Sequence, residues 1–191
     1  MEIDERLYTI PKKIRAETRP EAVFSFIADT IHDFLVIRGL QNQSFDLAFC
    51  FNFPVQMFSI SKAHLISWAK EFGCDSVIGQ DVCGLLQQAL NALSLKVKIS
   101  AVFNDTVGVL AACAAKDPEC GIGLIVSAGT NCCYFERGSR IQKPFAKFAC
   151  GQELIINTEW GGFGDSGTLQ QFMTKYDKEI DAATLTPGKQ M

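Results

Sequence analysis

The chain has 191 residues, of which 48% are hydrophobic and 20% charged, proportions that are typical of a globular protein and exclude a disordered or fibrous one. The formal net charge of −3, without a basic stripe, argues against a nucleic-acid partner. No apolar run approaches the roughly 20 residues that cross a bilayer, and the acidic start differs from a secretory signal. We therefore expect a cytoplasmic protein without a membrane segment.

Eight cysteines occur in the chain with no C-x-x-C pair and with only two histidines. Zinc sites need ligands at characteristic spacings, and this chain lacks those spacings. The cysteines lie mostly in apolar stretches, which favours small, reduced, buried thiols over disulfides. The sequence therefore predicts neither a metal site nor a disulfide framework.

The first half of the chain predicts two helices, two strands and a further short helix. Thr18 and Pro20 begin an amphipathic helix that ends at Gly39. Large apolar residues alternate over 45–51 with smaller residues that an interior tolerates, which predicts a buried strand that Pro54 ends. A short helix over 65–72, a helix over 82–90 and a strand over 97–103 follow.

The second half continues the alternation of helices and strands. We expect a helix over about 106–115, then, after a break at Asp117-Pro118, an apolar strand over 121–126 that belongs in an interior. Residues 131–135 form its hairpin partner, and 154–157 form one more strand. This order predicts an α/β fold with a parallel or mixed sheet, in two lobes, 1–118 and 119–191.

Polar residues follow three of the predicted strands, where such sheets bind their ligands. Asn104-Asp105-Thr106 comes after the strand over 97–103. In one interpretation Asp105 or Thr106 only caps the next helix. In the other, Asp105 is a base that orients a substrate hydroxyl and takes its proton during attack on phosphorus, while Asn104 binds the same substrate.

Two further segments carry the same ambiguity. The turn from Ser127 to Asn131 is either an ordinary hairpin turn or a place where small residues let backbone N–H groups approach a phosphate or a sugar. Glu159 leaves the last strand into a glycine-rich loop, and a carboxylate with neighbouring amides is suited to hold sugar hydroxyls. Trp160 is equally compatible with a core position and with a ligand platform.

Several motifs in order along the chain resemble those of the eukaryotic hexokinase family. They are Tyr8-Thr9-Ile10-Pro11, Phe51-Asn52-Phe53-Pro54, Ser67-Trp68-Ala69-Lys70, Asn104-Asp105-Thr106-Val107-Gly108, residues 121–126, residues 157–165 and Pro187-Gly188-Lys189-Gln190. The match extends over nearly the whole chain, and several independent motifs in order make a chance match improbable.

The resemblance implies a two-lobed, actin-like ATPase (ribonuclease H-like) fold, incomplete here, that closes over glucose. It implies transfer of the γ-phosphoryl group of Mg-ATP to the sugar 6-hydroxyl, the first step of glycolysis, with Asp105 as the catalytic base. By position, the residues that match the hexose site are Asn52, Lys70, Asn104, Asp105, Asn131, Glu159 and Gln190. The turn formed by Ser127, Ala128, Gly129 and Thr130 matches a phosphate-facing loop.

The chain also departs from the family pattern. Asn52 replaces a serine, Ala69 a threonine and Ala128 a threonine that is expected to meet phosphate, and losing a hydrogen bond to a charged group costs about 1.5 to 3 kcal/mol. The Asp-x-Gly-Gly-Thr phosphate loop, expected before Met1, is absent, and the adenosine half is expected after Met191. We therefore expect weak or no kinase activity from this chain, and the alternative is a non-catalytic, sugar-binding or scaffold relative.

Overall fold

The structure is a computed structural model that describes residues 4–15, 19–68, 72–127, 129–142, 151–183 and 187–188. The chain divides into two compact units, Met1–Phe103 and Asn104–Met191. Both units combine helices with strands, which confirms the predicted α/β class.

The first unit contains three helices and four strands in its described part. They are α1 (Lys12–Arg15), α2 (Pro20–Ile37), β1 (Phe45–Cys50), β2 (Val55–Ser59), β3 (Lys62–Leu65), α3 (Val82–Ala92) and β4 (Val97–Phe103). Strand β1 pairs with β4 in parallel, and β2 pairs with β3 as an antiparallel hairpin. The structure confirms the helix predicted to begin at Thr18 and Pro20 and to end at Gly39, the helix predicted over 82–90, and both predicted strands.

Local chemistry explains where the two long helices begin and end. Pro20 occupies the first turn of α2, where its missing N–H costs nothing, and Gly39 follows the helix with a φ of 67°, a conformation that glycine adopts freely. Asp81 caps α3 by accepting a hydrogen bond from the backbone N–H of Cys83. The two helices pack against each other, α3 also packs on β3 and β4, and Phe24, Leu86 and Leu90 are buried in the same apolar core.

Two predictions for this unit are wrong. The helix expected over 65–72 does not form in its described part, because Leu65 pairs with Val55 in the hairpin and Trp68 packs into a cluster of aromatic rings. Strand β1 is buried on one face only: Phe49 lies in the core, while Ala48 and Cys50 are exposed. Alternation alone does not tell which face of a strand receives a covering layer.

The second unit contains two helices and three strands in its described part. They are α4 (Asp105–Ala114), β5 (Ile122–Val126), β6 (Thr130–Arg137), β7 (Glu153–Asn157) and α5 (Lys175–Ala183). The strands form an antiparallel sheet in the order β5-β6-β7, so the predicted hairpin is confirmed. Helix α4 packs on one face of this sheet against β5 and β6.

The interior position predicted for the strand over 121–126 is wrong. Strand β5 lies at the edge of the described sheet, and Ile122, Leu124 and Val126 are 63%, 50% and 74% exposed on the face opposite α4. An apolar strand sequence does not tell whether both of its faces are covered. No helix in the described part of the chain combines the length and apolar character needed to span a bilayer.

Candidate functional site

Four polar side chains meet at one end of the three-stranded sheet in the second unit. Asn157 is the last residue of β7, and Glu159 follows it two positions later. Asn131 is the second residue of β6, which runs antiparallel to β7, so the start of β6 lies beside the end of β7. Asn104 precedes α4, which packs on the same sheet. Sheet pairing and helix packing therefore bring together residues more than 50 positions apart.

The centre of this group is one carboxylate oxygen of Glu159. Its Oε1 accepts hydrogen bonds from the side-chain amides of Asn157 at 2.6 Å, Asn131 at 3.2 Å and Asn104 at 3.3 Å. The second oxygen, Oε2, has no protein partner in the described part of the chain. A carboxylate bonded in this way is held in one orientation while one acceptor oxygen stays available.

The backbone of Glu159 has a conformation that side chains other than glycine rarely adopt. Its φ of 47° and ψ of 39° lie in the left-handed region, which costs a non-glycine residue roughly 1 kcal/mol. The backbone N–H of Glu159 donates to Oδ1 of Asn157 at 3.4 Å, so the same neighbour contacts both its backbone and its carboxylate. Strain of this kind persists where surrounding contacts over-determine the geometry, as they do here.

Asp105 is the first residue of α4 and lies directly beside this network. The residue that caps the helix is Asn104, whose Oδ1 accepts from both the backbone N–H and the hydroxyl of Thr106, so the expectation that Asp105 or Thr106 is the cap is wrong. Oδ1 of Asp105 also accepts from the N–H of Thr106 at 2.9 Å. Oδ2 of Asp105 has no protein partner among the described residues, and the side chain is half-buried.

The position of Asp105 depends on close packing between α4 and the sheet. A Cβ built on Gly123 would lie 2.5 Å from the backbone oxygen of Thr106, so only glycine allows this approach of β5 to the helix. The thiol of Cys133 donates to the same oxygen at 3.1 Å, and burial raises the pKa of this thiol. The first turn of α4 therefore packs directly on β5 and β6.

The turn between β5 and β6 forms the connection of a hairpin, as one of the two interpretations expected. Within it, the backbone N–H of Ser127 donates to the carbonyl oxygen of Gly129 at 2.9 Å. Trp160 is 44% exposed, and its indole N–H donates to Oγ1 of Thr130 at 2.9 Å. This bond links the turn to the segment that carries Glu159.

The first unit holds Asn52, which is exposed in the loop after β1. The loop is anchored by its two neighbours: the rings of Phe51 and Phe53 lie 5.1 Å apart, and Phe53 meets Trp68 edge-on at 4.8 Å. The indole N–H of Trp68 in turn donates to the backbone oxygen of Cys74 at 2.6 Å. Lys70, Ala128 and Gln190, which the sequence analysis also assigned to the site, lie outside the described residues.

The structure thus joins Asn104, Asn131 and Glu159, three of the predicted hexose-site residues, by direct hydrogen bonds, with Asp105 adjacent. Asn157 was not among the predicted hexose-site residues. Its place at the start of the motif over 157–165 and its proximity to Glu159 were the available signals, whereas its contact with Asn131 depends on strand register. Together these groups can accept a hydrogen bond from a hydroxyl group at one carboxylate and a proton at the other.

Comparison with known proteins agrees with this architecture. The family model described as Hexokinase matches residues 1–115, and a second model with the same description matches residues 121–191. Hexokinase from Schistosoma mansoni is 43% identical over 189 residues, which cover 99% of this chain and 41% of that protein. The human protein Hexokinase HKDC1 is 41% identical over 186 residues, which cover 97% of this chain and 20% of that protein.

Among solved structures, the Schistosoma mansoni hexokinase complexed with glucose superimposes with a TM-score of 0.90, covering 98% of this chain and 41% of that one. The fold is that of an actin-like ATPase in part, with a carboxylate and amide site in its second unit. The chain belongs to the hexokinase family. It spans about two fifths of the Schistosoma relative and one fifth of the human one.

Proposed function

We propose that this chain supplies hexose-binding and base residues for the transfer of the γ-phosphoryl group of ATP to the 6-hydroxyl of a hexose, with glucose as the first substrate to test. The observation that carries the proposal is the convergence of three asparagine amides on Oε1 of Glu159 beside Asp105. The likeness to a hexokinase complexed with glucose supports the choice of sugar.

In this proposal Glu159 binds the sugar through its unpartnered oxygen. Oε2 accepts a hydrogen bond from a sugar hydroxyl, while the amides on Oε1 keep the carboxylate from rotating away. Asn104 has a second amide N–H that can donate to the same sugar. Both amide N–H groups of Asn131 are used on Asn157 and Glu159, so its direct contact with the sugar stays a prediction. The contacts of Asn52, Lys70 and Gln190 with the sugar stay predictions.

Asp105 is the proposed base. Its Oδ2 accepts the proton of the 6-hydroxyl as that oxygen attacks phosphorus, and its Oδ1 is held by the backbone N–H of Thr106. In phosphoryl transfer a protein contributes mainly position and charge stabilisation, so a carboxylate in the correct place suffices. In this proposal the amide of Asn104 binds the sugar, and the carboxylate of Asp105 accepts the proton of the 6-hydroxyl.

ATP, with its Mg²⁺, supplies the phosphoryl group when bound. The turn of Ser127, Ala128, Gly129 and Thr130 is the part of this chain proposed to face its phosphates. The hydroxyl oxygen of Thr130 accepts a bond from Trp160, which leaves its own proton to donate to a phosphate oxygen. Ser127 is exposed and offers a second hydroxyl donor. These groups fit an anionic ligand.

Two broader predictions accompany this function. The division into lobes 1–118 and 119–191 remains a prediction from the sequence and the family resemblance. The cytoplasmic location remains a prediction from the sequence.

The test measures glucose binding and turnover separately. Isothermal titration calorimetry follows glucose binding to the wild-type chain, to Glu159→Gln and to the control Glu179→Gln, an exposed residue of α5. Glu159→Gln should weaken binding by about tenfold or more, because the carbonyl oxygen of the new amide takes the three asparagine bonds and its NH2 group, a donor, replaces the Oε2 acceptor of the sugar hydroxyl. The control should bind as the wild type does. Wild-type protein without measurable glucose binding would contradict the proposal.

A coupled assay then measures glucose 6-phosphate formation with ATP. Turnover that Asp105→Asn abolishes supports the transferase function and the role of this base. Glucose binding without turnover supports the alternative, a non-catalytic sugar-binding or scaffold function, and in that case glucose should raise the unfolding temperature while ATP leaves it unchanged.

A further inference from the structure

The side chain of Asn157 is bonded to two residues of the proposed sugar site, Asn131 and Glu159. Its Nδ2 donates to Oε1 of Glu159 at 2.6 Å. Its Oδ1 accepts from Nδ2 of Asn131 at 2.9 Å and from the backbone N–H of Glu159 at 3.4 Å. The side chain is half-buried at the end of β7. Both ends of this amide are therefore used on residues of the proposed sugar site.

These contacts require an amide in one orientation. The group that faces Glu159 must donate, and the group that faces Asn131 must accept, so a carboxylate satisfies only the second requirement. Asn131 is itself fixed from the other side, because its Oδ1 accepts from the backbone N–H of Cys132 at 2.8 Å. That bond directs Nδ2 of Asn131 towards Asn157 and Glu159. Asn157 therefore fixes the orientation of both Asn131 and Glu159.

The same amide stabilises the left-handed backbone of Glu159. Asn157 contacts Glu159 at the backbone N–H and at the carboxylate, which together define the direction in which the side chain leaves the strand. These two bonds offset the free-energy cost of the φ of 47° at Glu159, and without them this backbone conformation is less stable. The carboxylate would then sample orientations that place Oε2 away from a bound hydroxyl.

We propose that Asn157 is a positioning residue of the hexose site, which orients the amide of Asn131 and the carboxylate of Glu159 through its two hydrogen-bonding ends. The inference rests on the proposed sugar binding and deepens it. Asn157 fixes the geometry of the site without contacting the sugar itself.

The test replaces the amide by a carboxylate of the same shape. Asn157→Asp keeps the acceptor for Asn131 but puts a negative charge at hydrogen-bond distance from Glu159. Two carboxylates that share a site bind one proton with a raised pKa, and that proton replaces the lost amide N–H. Glucose affinity of this variant, relative to the wild type, should therefore be about tenfold weaker or more at about pH 8.5 and should recover as the pH falls into the acidic range.

Other titratable groups are present near this position and are unchanged by the substitution. They are Cys133, which is the register partner of Asn157 on β6, and Asp105 at the start of α4. The pH dependence of glucose affinity in the wild type includes the effect of both groups. The difference between the wild-type and Asn157→Asp curves therefore reports on the carboxylate pair. Asn42→Asp, in an exposed turn of the first unit, is the matched control and should follow the wild type at every pH.

The outcomes separate the positioning role from the sugar site itself. Wild-type protein that binds glucose together with Asn157→Asp that binds equally well at every pH overturns the positioning role and leaves the proposed function intact. Wild-type protein that does not bind glucose overturns both. If Asn157→Asp does not unfold cooperatively, Asn157→Ser takes its place, and it should bind about tenfold more weakly at every pH, since the shorter hydroxyl cannot span both neighbours. Wild-type affinity in that variant would also overturn the role.

Discussion

The thiol of Cys133 on β6 donates a hydrogen bond to the backbone oxygen of Thr106 in the first turn of α4, at 3.1 Å. Gly123 on β5 lies against the same turn, so that a Cβ there would come within 2.5 Å of this oxygen and 2.9 Å of Cβ of Leu110. The proposed base Asp105 immediately precedes Thr106. The position of Asp105 therefore depends on glycine at position 123 of β5, because even the methyl group of alanine would collide with the first turn of α4.

The first prediction concerns this contact. Gly123→Ala should lower the free energy of unfolding by about 1 to 3 kcal/mol, because backbone atoms must move to admit the methyl group. The displaced first turn should also weaken glucose binding. Urea denaturation and calorimetry measure the two effects.

Gly121→Ala is the matched control for this prediction. A Cβ on Gly121 has no neighbour within 4 Å, so this variant should be as stable as the wild type or slightly more stable. Equal stability of the Gly123→Ala and Gly121→Ala variants would show that α4 adjusts without cost, contrary to the close packing seen here.

A second prediction concerns the outer edge of β4. The side chain of Gln87 donates to the carbonyl oxygen of Val97 at 2.8 Å and accepts from the N–H of Ile99 at 3.0 Å, so its amide occupies the place of a neighbouring strand. Gln87→Leu leaves both backbone groups unpaired and should destabilise the chain by about 1 to 3 kcal/mol.

Thermal or urea unfolding measures this effect, and light scattering measures the association expected of an open strand edge. Gln88→Leu, at the exposed neighbouring position of α3, is the control for added apolar surface. If both variants lose equal stability, the bonds of Gln87 to β4 contribute nothing.

The sequence predicted those elements whose signals are local. Proline and glycine mark the ends of α2, and the apolar spacing of α3 is regular enough to predict both its face and its extent. The prediction of a helix over 65–72 failed because Trp68 packs against the rings of Phe53 and Phe72, and Phe53 is remote along the chain. Apolar spacing does not distinguish a helix face from an aromatic cluster.

The site was predictable in its residue types but not in its connections. The motifs pointed to Asn104, Asn131 and Glu159 as members of one site, and the strand pairing and the packing of α4 bring them together. The role of Asn157 depends on the register that places it opposite Cys133, and a shift by one residue would turn its side chain to the other face. Register is a property of the whole sheet, which no single motif encodes.

A third prediction distinguishes the cysteines by their reactivity. Among the cysteines that the structure describes, Cys50 and Cys113 are exposed and Cys120 is half-buried. Four are buried, as expected from the sequence: Cys74, Cys83, Cys132 and Cys133. Brief alkylation of the native chain should therefore modify Cys50 and Cys113 first, since reaction requires access and a thiolate. Peptide mass spectrometry measures the order, and alkylation in urea, where all thiols are accessible, is the control. Early modification of Cys133 would contradict the packing of α4 on the sheet.

The last prediction concerns stability at alkaline pH. Burial, with a smaller contribution from the Asp81 carboxylate, raises the pKa of the Cys83 thiol from 9.0 to about 11. Above pH 9 the unfolded chain loses this proton while the folded chain keeps it, so the unfolded state binds fewer protons and the free energy of unfolding falls with rising pH. The stabilisation is complete below pH 9 and is lost towards pH 11. Urea titrations of the wild type and of Cys83→Ala across this range should show a steeper decline for the wild type, and parallel curves would show that the thiol titrates as it does in the unfolded chain.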